Sequence, residues 1–107
     1  MKKQIIDQLR GLESPAIFPE LNIIPGFAGD VGIGLPSKNI CYWNRLSLEA
    51  SLTMLGLIED GVIALLPVRP ERYFNAGYCV PLPLAEGVHV YEGPVWLPVM
   101  ILLEEKF

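Results

Sequence analysis

Residues 46–68, LSLEASLTMLGLIEDGVIALLPV, constrain this chain more than any other stretch. Ser47 carries the short oxygen-bearing side chain that accepts a hydrogen bond from a free amide at a helix start. Glu49 places a negative charge in the first turn, beside the positive end of the helix dipole. The reciprocal capping box is incomplete, because Ala50 stands where a Glu or Gln would reach back. Leu48, Leu52, Leu55 and Ile58 recur at helical spacing and predict the core-facing stripe, widened by Met54 and Leu57. Glu49, Thr53, Gly56 and Asp60 fall on the other side. Gly61 offers the left-handed residue that closes such a helix. Residues 62–66 follow without polar alternation and predict a strand that is covered on both faces, or short and central, closed by Pro67 and Pro70.

The chain before this stretch reads as a lead-in. Residues 2–12 place Ile5, Ile6, Leu9 and Leu12 on one side of a short amphipathic helix, with Lys3, Asp7 and Arg10 on the other. Gly11 weakens its end and Ser14-Pro15 stops it. Residues 15–36 are dense in Pro and Gly, yet apolar side chains are interleaved throughout. A disordered linker is poor in such residues, so an ordered loop with a short strand at 21–24 is expected. Residues 39–43, NICYW, are β-branched and aromatic and predict a strand leading into the helix.

After the central stretch, residues 69–77, RPERYFNAG, read as a turn-rich tip between two strands. Residues 78–84 carry Pro81 and Pro83 two positions apart. Both lose donors on one side, which suits an edge strand. Turns at Glu86-Gly87 and at 92–94 bracket a strand at 88–91. Residues 95–103 form a last strand candidate, interrupted or bulged at Pro98. The expected fold is α+β: one domain over residues 1–107, with two helices and a small antiparallel sheet that runs as a meander in the second half.

Composition bears on function at three points. Of 107 residues, 51% are hydrophobic and the mean hydropathy is +0.39. A domain this size leaves roughly a third or more of its unfolded surface exposed, so some apolar residues must lie on a surface that a homodimer mate or protein partner would cover. The 12 acidic against 8 basic residues give the chain no overall attraction to phosphate or anionic lipid, which disfavours nucleic acid. The longest apolar run is about half of the ~20 residues a membrane helix needs and contains Pro98. Asp7, Gln8 and Arg10 interrupt the N-terminus, which is therefore unlike a secretory signal, so cytoplasmic residence is the expectation.

No set of residues announces catalysis, a metal or a cofactor. PGFAGDVGIGLPSK, over residues 25–38, lacks the Gly-Lys-Ser/Thr ending and the glycine order of nucleotide-binding loops. His89 is the lone histidine. It could serve Cys41 or Cys79 with Asp30 as orienting acid, but both cysteines sit in apolar strand contexts typical of inert thiols. One His and two scattered Cys are too few for a metal. Glu59-Asp60 closes a helix and Glu104-Glu105 belongs to a charged tail. The best local contact site is the tip at residues 69–75, where Arg69, Arg72 and Tyr73 can touch phosphate or stack on a base, flanked by Arg45. The competing reading is a solvated tip, with Glu71 offsetting its neighbours and Phe74 tucked inward.

The order helix, Gly61, apolar strand, exposed tip and returning strand resembles the winged helix-turn-helix family. The segment from Leu46 to Ala50 with Leu52, Leu55 and residues 58–63 is similar to that family's last helix entering its wing. The first helix and the 39–43 strand then correspond to the family's first helix and strand. The chain departs from the family in having one helix where two are expected before the wing. Between Ser47 and Asp60 it also lacks Lys, Arg, Asn and Gln, so this helix would be repelled by the phosphates of a major groove. The resemblance implies a member that binds protein. The functional expectation is a non-enzymatic protein-interaction or self-association module. The alternatives are a DNA- or RNA-binding regulator that uses the tip, and a small ligand-binding protein or enzyme that uses the Gly/Pro loop at 25–36.

Overall fold

The fold was obtained as a computed structural model that describes residues 1–12 and 15–104. It is α+β. Helix α1 spans Lys2–Gly11, strand β1 Ala28–Leu35 and β2 Ile40–Leu46. Helix α2 spans Leu48–Glu59, β3 Ile63–Pro67, and the four-residue α3 Glu71–Phe74. Strands β4 (Val95–Trp96) and β5 (Val99–Leu103) close the chain. One sheet has the order β1-β2-β4 and the other pairs β3 with β5.

The central stretch forms as expected at both ends. The Ser47 hydroxyl accepts from the Ala50 amide at 3.0 Å, and Gly61 takes φ 71° after the last turn. Ser47 N also donates to Phe27 O at 2.8 Å, so the start of α2 is tied to the residue before β1. Helix α1 buries Ile5 and Leu9, as its spacing predicts. Ser14, expected to help stop that helix, and Glu105 of the expected acidic tail lie outside the described residues.

Several expectations need correction. The Gly-rich segment is strand rather than loop, and the expected strand at 21–24 is instead the end of a 3-10 turn, Phe18–Leu21. Glycine permits β1 because its backbone comes very close to β2. A Cβ on Gly29 would lie 2.6 Å from Leu46 O, and one on Gly34 would collide with Ile40 O. The β1–β2 pairing is accordingly irregular, with both Ala28 and Val31 opposite Leu46. A 3-10 turn at Pro36–Lys38 and a left-handed Asn39 (φ 58°) connect the two strands.

The second half is not an antiparallel meander. Residues 78–91 form no strand; Leu84 makes only an isolated parallel bridge to Trp96. The chain is broken at Leu97-Pro98, where an amide donor is missing. The break sends β4 to the first sheet, parallel to β2, and β5 to the second sheet, antiparallel to β3. Strand β3 is covered only at its start: Ile63 is buried, while Leu66 and Pro67 are exposed. The buried hydrophobic residues form one cluster, centred on Trp43, which stacks with Phe18 and meets Tyr73 and Tyr78.

Candidate interaction surface

Helix α2 is rotated about its axis relative to the sequence expectation. Its buried residues are Ala50, Ser51, Met54 and Leu57. Met54 and Leu57 are inside as predicted and Ile58 is half-buried against the core, but the other three residues of the predicted stripe are outside, with Leu48 at 63%, Leu52 at 62% and Leu55 at 45% exposure. These three leucines stand at i, i+4 and i+7 and form a continuous row, extended by exposed Glu59 four residues beyond Leu55. The physical reason is that the apolar residues of 48–58 span a sector wider than one buried face, so periodicity alone does not select which part of it turns inward. Tertiary anchoring selects it. The Ser47–Phe27 bond holds the first turn against β1, and the small Ala50 and Ser51 allow the close approach there. Ser51 costs little in that position, since its hydroxyl donates to Leu48 O at 2.8 Å.

The surroundings of the leucine row are graded in charge. Glu49, Glu59 and Asp60 are exposed along α2, which carries no basic residue in its last turn. Beside it, α1 begins with exposed Lys2 and Lys3. A groove of about 280 Å³ runs between them, lined by Lys2, Leu52, Thr53, Gly56, Leu57 and Asp60. A second groove of about 410 Å³ continues over α1, lined by Lys2, Lys3, Ile6, Asp7 and Arg10. Lys2 belongs to both. Gly56 leaves the first groove open, because a Cβ there would meet nothing within 4 Å.

The residues of the expected contact tip are divided between the core and the surface. Tyr73 is buried: its hydroxyl donates to Val99 O at 2.6 Å and its ring meets Trp43 and Trp96 at 5.5 and 5.3 Å. Burial pushes its phenol well above the ordinary tyrosine range. Phe74, expected inside, is the exposed member of the pair. Arg72 donates to Pro15 O at 3.0 Å and to the Glu20 carboxylate at 2.9 Å, which ties α3 to the segment after α1. Glu20 in turn accepts from the Ile17 amide at 3.0 Å. Arg69 remains exposed. Arg45 lies over the Trp43 ring at 5.7 Å and donates to Cys79 O at 3.4 Å, so it is engaged with its own fold.

The residues weighed for chemistry are likewise dispersed. His89 is exposed on a loop, its ring tilted against Tyr91 at 4.2 Å; it is not in a strand. Tyr91 holds that loop, accepting from the Glu86 amide and donating to Gly87 O. Cys79 is exposed and outside any strand, contrary to its apolar sequence context, whereas Cys41 is half-buried and burial raises its thiol pKa. Among the described residues no three His, Cys, Asp or Glu converge as metal ligands, and no helix is long and apolar enough to cross a membrane. Set against known protein families, curated proteins and solved structures, the chain matches none of them.

Proposed function

We propose that this protein is an association module, a non-enzymatic domain that binds protein through the outer face of α2. The exposed row Leu48, Leu52 and Leu55 carries the reading. Fully covering a leucine is worth about 1.5–3 kcal/mol, so the row offers several kcal/mol to a matching surface. Contiguous apolar surface rimmed by charge is the usual mark of such a contact. The resemblance of residues 46–63 to the winged helix-turn-helix family, whose returning strand has no counterpart at residues 78–91, implies the protein-binding kind of member.

The test compares the wild-type chain with the Leu52→Glu/Leu55→Glu double variant by light scattering over a concentration series, together with binding of an apolar fluorescent dye. The wild type is expected to exceed its monomer mass or, where monomeric, to light up the dye. The double variant is expected to lose both signals and keep its fold, since both side chains are already in water. A wild-type chain that is monomeric throughout and leaves the dye dark overturns the reading.

A further inference from the structure

We propose that the occupant of the leucine face is a second copy of this chain, related by a two-fold axis that lays α2 of each copy over α1 of the other. This rests on the association reading above and adds to it a partner and a geometry. The first support is continuity. Helices α1 and α2 touch, and the grooves on their outer surfaces meet at Lys2, so the two helices present one surface rather than two.

The second support is charge. The α2 half of that surface carries exposed Glu49, Glu59 and Asp60, and no Lys or Arg occurs from residue 46 to residue 68. The α1 half carries exposed Lys2 and Lys3, with half-buried Ile6 between them and Asp7. Pairing α2 with α2 would set acid against acid. Pairing α2 with α1 sets Glu59 and Asp60 of one copy beside Lys2 and Lys3 of the other, with Leu52 and Leu55 over Ile6. Opposite charges facing across a contact fix its register and suppress the like-charged alternative.

The third support is closure. When two complementary halves lie side by side on one surface, a two-fold axis between them satisfies both at once. Such an isologous contact ends at the dimer, whereas a head-to-tail contact would continue into a filament.

The test is sedimentation of the full chain and four variants across concentration. Lys2→Glu/Lys3→Glu is expected to weaken the dimer about tenfold, as is Glu59→Lys/Asp60→Lys, and the quadruple exchange is expected to restore it. So is an equal mixture of the two double variants, which pairs the charges only between copies, since Lys2 and Asp60 also line one groove within a copy. A mixture no better than either double alone overturns the pairing. Neither exchange harms its own helix. Helix α1 has no acidic residue in its first turn and α2 no basic residue in its last, so each new charge suits the local dipole. Raising salt should weaken the wild-type dimer, since the pairs are at the surface. A quadruple variant no better than either double, or a Lys2→Glu/Lys3→Glu chain that dimerises like the wild type, overturns the two-fold pairing. So does a wild type that is monomeric yet binds the dye, which keeps the association face and assigns it to another protein. Loss of association in Leu52→Glu with no effect of the charge exchanges separates the two proposals in the same way. Association that survives both Leu52→Glu and the charge exchanges defeats both.

Discussion

On its inner side α2 sets Ala50, Ser51, Met54 and Leu57 against the sheets, and on its outer side it holds Leu48, Leu52 and Leu55 toward water. The outer face is the more hydrophobic of the two by side-chain size. What separates them is shape and attachment. The inner face begins with two small residues beside the Ser47–Phe27 bond that ties the helix start to β1, and the larger Met54 and Leu57 follow further along. Burial within one chain therefore follows which face can approach its neighbours, and the apolar surplus of α2 is left exposed.

Truncating each face by a comparable amount should break this comparison most sharply. Met54→Ala empties a buried site and is expected to cost about 2–5 kcal/mol, read as a lowered urea midpoint at unchanged slope. Enlarging the small contact should come next. Ala50→Leu would overfill the approach of α2 to the sheets and cost about 1–3 kcal/mol by the same measurement. If Ala50→Leu were neutral, the small residues would not be what lets this face approach.

The contrast recurs at adjacent residues of α3, where Tyr73 is inside and Phe74 is 49% exposed. Because burial raises the Tyr73 pKa, the folded protein keeps the phenolic proton at pH values where the unfolded chain has released it. Its contribution to stability is complete below the unfolded tyrosine value of about 10 and is lost as pH rises above it, by up to about 1.4 kcal/mol per pH unit. Denaturant titrations from pH 9 to 11 should show that fall. Tyr73→Phe should remove most of it, leaving the parts due to Cys41 and Tyr42, whose pKa values burial also raises.

Elements whose determinants are local were legible in the sequence. The capped start of α2, its left-handed Gly61, the α1 stripe, β2 and the interruption at Pro98 depend on residues a few positions apart. What could not be read depends on distance along the chain. The rotation of α2 is decided by Phe27 and β1, because its apolar sector is wider than the face the fold can bury. Strand β1 looked like a loop because glycine breaks regular structure in isolation; here Gly29 and Gly34 leave the space that Leu46 and Ile40 backbones fill. The parallel pairing of β2 with β4 joins Ile40 to Val95, which no local pattern encodes. As for the candidate site, its three leucines were visible as a stripe, but assigned to the wrong side. A helix with too little polar surface to choose a wet face is the signal that could have shown this.

Two smaller effects sharpen the comparison. Ser47→Ala removes the side-chain acceptor from the Ala50 amide and should cost about 1 kcal/mol. That loss loosens the first turn as a whole, so it should weaken folding and association together.

Leu52→Ala is the smallest in stability and the most informative. At 62% exposure the side chain has little to lose on truncation, so monomer stability should change by no more than about 0.5 kcal/mol. Stability must be measured well below the association range, because a dimer is stabilised by mass action and would make Leu52 look like a core residue. At high concentration the same variant should lose association. A large loss of stability in the dilute variant would show that Leu52 is covered within its own chain, and the two faces of α2 would then no longer differ in kind.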